Sequence, residues 1–105
     1  MIIVDHVHTV SLFKPEAREI VFSLAAYQKK VRKNIDVIIP HAGKLNKIIL
    51  RKYFDSLSDW DGYKKDMVLA IRTIPEAKKI RENLQNNPEL FPSPVQRNIW
   101  EKLSD

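Results

Sequence analysis

Asp5-His6-Val7-His8-Thr9 carries the metal-ligand chemistry of this 105-residue chain. Residues two apart on an extended strand share a face, so His6 and His8 present their imidazoles in the same direction, a geometry that suits one shared metal ion. A metal centre needs further ligands. The remaining histidine is His41, and no carboxylate pair flanks it in a recognisable pattern. The expectation is therefore a pair of half-exposed strand histidines, with no metal and no cofactor.

The same run resembles the opening His-x-His-Thr of polymerase-and-histidinol-phosphatase-type metallohydrolases, which implies metal-dependent hydrolysis. The spacing to Asp5 departs from that pattern, and those enzymes are far longer, so the activity is not carried over. A small ribonuclease of the bacterial toxin type is a minor enzyme reading, with His41 as the residue to test. Such toxins end in antiparallel strands, whereas this chain is expected to end in helices.

Charge supplies the main lead to a partner. From Gln28 to Lys52 stand eight basic side chains, Lys29, Lys30, Arg32, Lys33, Lys44, Lys47, Arg51 and Lys52, against the single acid Asp36. The flanking segments each sum to minus one, so the formal +5 is local. Focused positive potential attracts polyanions and binds them by releasing counterions. Without a glycine-rich phosphate loop, a Cys/His finger or an RNA-recognition aromatic signature, the contact is expected to be with backbone rather than bases. His41-Ala42-Gly43-Lys44 is read as a helix entry.

Between Tyr53 and Tyr63 four aromatics and three aspartates fall within eleven residues. Asp59-Trp60-Asp61-Gly62 lacks the alternating ligands and closing Glu of a calcium loop, so helix capping accounts for the acids. Tyr53, Trp60 and Trp100 are candidate anchors for a protein partner. Leu90-Phe91-Pro92-Ser93-Pro94 reads as a staple for the last element.

The elements that must position these groups follow from periodicity. Ile2 to Phe13 alternates and predicts a half-buried strand, with Ile2, Val4, His6, His8, Val10 and Leu12 on one face. Pro15 opens a helix to about Lys33 on the stripe Ala17, Ile20, Val21, Leu24 and Val31. Ile35 to Ile39, closed by Pro40, is a second strand, and the helical connection favours parallel pairing with the first. Leu45, Ile48, Ile49 and Tyr53 predict a helix over Lys44 to Leu57, which aligns Lys44, Lys47 and Arg51 on its outer side. A helix capped by Asp59 or Asp61 buries Trp60, Tyr63, Met67 and Ile71. Another begins at Pro75, buries Ala77, Ile80 and Leu84, and stops at Asn86-Asn87-Pro88. Ser93-Pro94-Val95-Gln96 has capping-box spacing and predicts a last helix over Val95, Ile99 and Leu103.

Two glycines argue against a hairpin-rich β protein. Length gives one compact domain, residues 1–105, and the fold expected is α+β and predominantly helical, a small N-terminal β-α-β strand pair followed by three to four helices. Zero cysteines and the absence of a signal-like start suit a cytoplasmic address with no membrane span. The function expected is a non-enzymatic binding protein that holds a nucleic-acid backbone, DNA or RNA, on the Gln28 to Lys52 surface. The alternative is a protein-protein adaptor or inhibitor, a phage- or plasmid-type regulator docked on an acidic surface. A two-stranded sheet is marginal alone, so a homodimer is a further expectation.

Overall fold

The computed structural model describes residues 1–11, 14–32, 34–40 and 46–103. Strand β1 (Ile2–Thr9) leads into helix α1 (Pro15–Val31), then β2 (Ile35–Ile38) and β3 (Lys47–Phe54). Helices α2 (Leu57–Thr73) and α3 (Pro75–Gln85) follow, and β4 (Gln96–Glu101) closes the fold. The strands form one sheet in the order β2-β3-β1-β4, every neighbouring pair antiparallel. All three helices lie on one face of it. The shortest extent of the molecule, 19 Å, is the depth of one sheet plus one helical layer.

Three expectations hold. β1 forms over Ile2–Thr9 of the run read from Ile2 to Phe13, α1 begins at Pro15, and β2 occupies the Ile-rich run before Pro40. Trp60 and Tyr63 on α2, and Ala77 and Ile80 on α3, are buried as their spacing implies. The cap of α2 is Ser56 instead of an aspartate: its hydroxyl accepts from the Asp59 N–H at 3.1 Å.

The fold class is corrected. Among the described residues, four antiparallel strands replace the single strand pair, and three helices replace four or five. The helix expected over Lys44 to Leu57 gives way to a strand: Lys47–Phe54 lies in the interior of the sheet, and Lys44 and Leu45 lie outside the described residues. Ile48, Leu50, Lys52 and Phe54 all face the helices and are all buried, at period two, and the lysine in that apolar row conceals the period. The last helix is likewise a strand. Gln96–Glu101 pairs with β1 along its length at a sheet edge, where exposed polar residues are tolerated and periodicity is weak. Nor do β1 and β2 pair, because β3 lies between them.

The hydrophobic core between sheet and helices has three parts. One joins Val10, Ala17, Val21, Ile48 and Leu50, a second Ile2, Val4, Phe54, Trp60 and Tyr63, and the third Tyr27, Ala70, Ala77 and Ile80. The other sheet face presents Ile3, Val7, Ile38, Ile49, Tyr53 and Trp100, with no described helix over it.

Candidate functional site

β1 and β3 bring three titratable groups to the helix side of the sheet. His6 is paired in register with Leu50, which makes Lys52 its diagonal neighbour on the same face. The Lys52 ammonium donates to His6 Nδ1 across 3.0 Å, which places the His6 proton on Nε2. Lys52 is 1 % exposed and, among the described residues, forms no ion pair. Burial pushes its pKa down to about 8, opposed by the Asp5 carboxylate. Burial, then the Lys52 charge, holds His6 at about 3 and His8 at about 4. Both imidazoles are therefore neutral at pH 7; His6 is partly exposed as expected, whereas His8 is buried.

These groups floor a cavity of about 660 Å³ between the sheet and the three helices. Its walls are mainly apolar, from Leu24, Tyr27, Met67, Ile80 and Leu84, and exposed Arg81, Gln85, Val95 and Arg97 stand at its rim. Three of its lining residues hold a buried polar atom with no partner among the described residues: His8 Nε2, Gln28 Oε1 and Tyr63 Oη. Buried polar atoms are rarely left unpaired, because each forfeits its hydration. Burial also raises the Tyr63 phenol, with the Arg32 charge opposing, so it is a neutral donor. An apolar chamber with a few converging polar groups and a perturbed amine is the usual form of a small-molecule site. No group of three or more His, Cys, Asp or Glu converges among the described residues in a way that holds a metal.

The residues expected to form a basic surface are dispersed. Lys29 and Lys30 are exposed on the last turns of α1, and Lys30 pairs with Glu76 at 3.0 Å. Arg32 turns inward, over the Phe54 ring at 4.4 Å and onto the Asp59 carboxylate. Lys47 donates to the Thr9 hydroxyl. Arg51 lies on the open sheet face and forks onto Asp5 at 2.8 and 3.0 Å, while Lys52 points into the cavity on the opposite face. Lys33, Lys44 and His41 lie outside the described residues. Of the three aromatic anchors, Trp60 is core, and Tyr53 donates to the Asp36 carboxylate at 2.6 Å. Trp100 is the exposed one, at 54 %.

Pattern alone places the chemically distinctive residues differently, counting Lys52 in the patch and Gln28 at its edge. Tyr63 is core as its spacing implies, but the spacing does not show its unpartnered hydroxyl. An inward lysine in the alternating row Ile48, Leu50, Lys52, Phe54 is the signal that finds the site, and two histidines interrupting the row Ile2, Val4, His6, His8 repeat it.

No family model matches the chain, and no curated protein matches it in sequence. Solved structures do resemble it. A NIPSNAP family protein of Agrobacterium tumefaciens superposes with a TM-score of 0.69 at 14% identity, covering 95% of this chain and 90% of its own. A candidate antibiotic biosynthesis monooxygenase of Nitrosomonas europaea gives 0.63 at 10% identity, covering 99% and 100%. An uncharacterized NIPSNAP-like domain protein of Burkholderia xenovorans gives 0.65 at 16%, covering 98% and 85%. At these identities the likeness is one of fold.

The function expected from charge gives way to these findings. A nucleic-acid backbone or an acidic partner needs the basic residues on one surface, and the fold divides them between helix end, sheet face and cavity. The expectation of a non-enzymatic protein gives way with it, since the fold is shared with proteins named as candidate monooxygenases. No described helix is long and apolar enough to cross a membrane.

Proposed function

We propose that this chain is a small-molecule enzyme that takes a largely apolar ligand into the cavity between sheet and helices and moves a proton on it with Lys52. The observation that carries this reading is the convergence of Lys52, His6, His8, Gln28 and Tyr63 on one apolar chamber, three of them with an unpartnered buried atom. A lysine with a pKa near 8 is neutral in a useful fraction of molecules at physiological pH and serves as a general base. His6 Nδ1 fixes the position of that amine. The unpartnered groups of His8, Gln28 and Tyr63 supply hydrogen bonds that an oxygen-bearing ligand would satisfy.

The fold relatives named as candidate antibiotic biosynthesis monooxygenases support the enzymatic class and point to oxygenation as its narrower form. An organic molecule surrenders electrons to oxygen more readily once it is ionised, and Lys52 is the base placed to ionise it. We place the activity in a reducing interior, which suits a chain without cysteine.

Leu84→Trp tests the reading by filling the cavity from α3. With 1-anilinonaphthalene-8-sulfonate as probe, the wild-type chain should bind the dye and the variant should not, at unchanged circular dichroism. Dye binding that survives in a folded Leu84→Trp variant overturns the assignment of this cavity.

A further inference from the structure

The geometry points to Lys52 as a covalent ligand for carbonyl compounds: we propose that its amine condenses with an aldehyde or ketone held in the cavity to form an imine. This rests on the reading of the cavity as a small-molecule site and deepens it by naming the ligand class. A lysine with no ion pair among the described residues, 1 % exposed and aimed into an apolar chamber, is arranged for a role that an ion-paired lysine cannot fill. Burial removes much of the ammonium's advantage over the free amine, and the free amine is the nucleophile. The structure supplies a reason for the side chain to be there, since nothing in its packing calls for a charge between Leu50 and Phe54.

The chemistry balances without an oxidant or reductant. The Lys52 nitrogen lone pair adds to the carbonyl carbon, a C–N bond forms, and the C=O π pair moves to oxygen. The nitrogen then gives up a proton, for which His6 Nδ1, 3.0 Å away, is the nearest acceptor, and the oxygen takes one up to give the carbinolamine. The proton taken up by His6 then passes to the hydroxyl, which leaves as water, driven by the remaining nitrogen lone pair; this gives a protonated C=N bond, and loss of its N–H proton to the group that protonated the oxygen leaves the neutral imine, one water being the net product. The apolar walls favour this last step by keeping bulk water away from the imine. The unpartnered polar atoms of Gln28 and Tyr63 line the same cavity, where Tyr63 Oη can donate to the oxygen and Gln28 Oε1 can accept from the carbinolamine hydroxyl.

The test uses the wild-type chain, benzaldehyde at limiting concentration and cyanoborohydride, which reduces a C=N bond to a stable secondary amine. Peptide mass spectrometry then reads the modification of every lysine. Lys52 should be labelled at least about tenfold faster than the exposed Lys29, Lys65, Lys78 and Lys79, because a lower amine pKa multiplies the neutral fraction. In parallel, benzaldehyde should displace the naphthalene-sulfonate dye. Labelling spread evenly over surface lysines while the dye is still displaced overturns the imine and leaves the cavity reading standing. No displacement and no preference for Lys52 overturns both. Preferential labelling of Lys52 that persists in Leu84→Trp also counts against the proposal, since the aldehyde would then be reaching the amine by another path.

Discussion

Lys52 Nζ stands 3.0 Å from His6 Nδ1, and the two groups cannot both be charged at that distance without strong repulsion. The pair is resolved by an ammonium donating to a neutral imidazole, and His8, also neutral, adds no competing charge. This is a costly arrangement to bury. It stabilises nothing that an apolar pair would not stabilise better, which is the expected signature of a site shaped by function.

That cost yields a prediction of sign. Lys52→Met keeps the length and volume of the side chain and removes a buried, unpaired charge, so it should raise stability by about 1–3 kcal/mol at pH 7. Urea unfolding measures it. The same variant should lose proton-transfer chemistry in the cavity. A destabilised Lys52→Met would instead show that the amine's bond to His6 holds β1 and β3 together.

Stability should also follow an unusual pH course. His6 and His8 titrate in the fold near 3 and 4, below their ordinary 6.5, so as pH falls from about 6.5 the unfolded chain takes up protons that the folded chain refuses. Stability is lost across that window, by about 2–4 kcal/mol between pH 7 and 5 from the two groups together. Lys52 acts with the same sign at higher pH: between about 8 and 10.5 the unfolded lysine is charged and the folded one neutral, so stability rises with pH. The raised Tyr63 has the opposite sign and withdraws stability once pH exceeds about 10, where the unfolded phenol ionises. The optimum should therefore lie near pH 9–10. Denaturant titrations over pH 5–11 locate it, and a maximum at pH 5–6 would contradict the burial of these groups.

How much of this was legible in the sequence depended on which elements announce themselves. β1, α1 and β2 did, because Pro15 and Pro40 mark boundaries and the apolar residues keep one period throughout. β3 did not: reading its central lysine as outward leaves Ile48, Ile49 and Tyr53, which fit a helix as well as a strand. One misread element aligned Lys44, Lys47 and Arg51 along a helix and counted Lys52 in the same basic surface, although Arg51 and Lys52, consecutive on a strand, point to opposite sides of the sheet. β4 was illegible for another reason. At a sheet edge its side chains are mostly exposed, so burial imposes no pattern, and Ser93 before the strand with Gln96 at its start imitates a helix cap.

Arg32 separates the corrected reading from the charge-patch reading. Its guanidinium covers Phe54 at 4.4 Å, donates to the Tyr53 carbonyl and holds Asp59, which itself accepts from the Asp55 N–H. Arg32→Gln should lower stability by roughly 1 kcal/mol through the lost ring contact and packing. Lys29→Gln should be neutral within about 0.5 kcal/mol, as befits a solvated lysine. Thermal unfolding of the two single variants decides between them, and equal melting temperatures would return Arg32 to the surface.

The open face of the sheet offers a last test, because Asp5 joins three strands at one level. Arg51 on β3 forks onto its carboxylate, and the Trp100 indole N–H on β4 donates to the same group at 3.1 Å. The Arg51 bonds, joined by that of Trp100, hold the Asp5 carboxyl below the usual carboxylate range, so the ion pair persists at neutral pH. β4 is an edge strand with little buried surface, and this bond is one of the few side-chain ties that fix its register. Trp100→Phe keeps the ring and removes the donor, which should cost about 1 kcal/mol. Asp5→Asn removes the charge that organises both partners and should cost about 1–3 kcal/mol. If the three groups act as a unit, the double variant will be less destabilised than the two single losses together, by about 0.5–1 kcal/mol. Urea unfolding of the four proteins closes the cycle, and strict additivity would mean that the bond between Trp100 and Asp5 contributes nothing to stability.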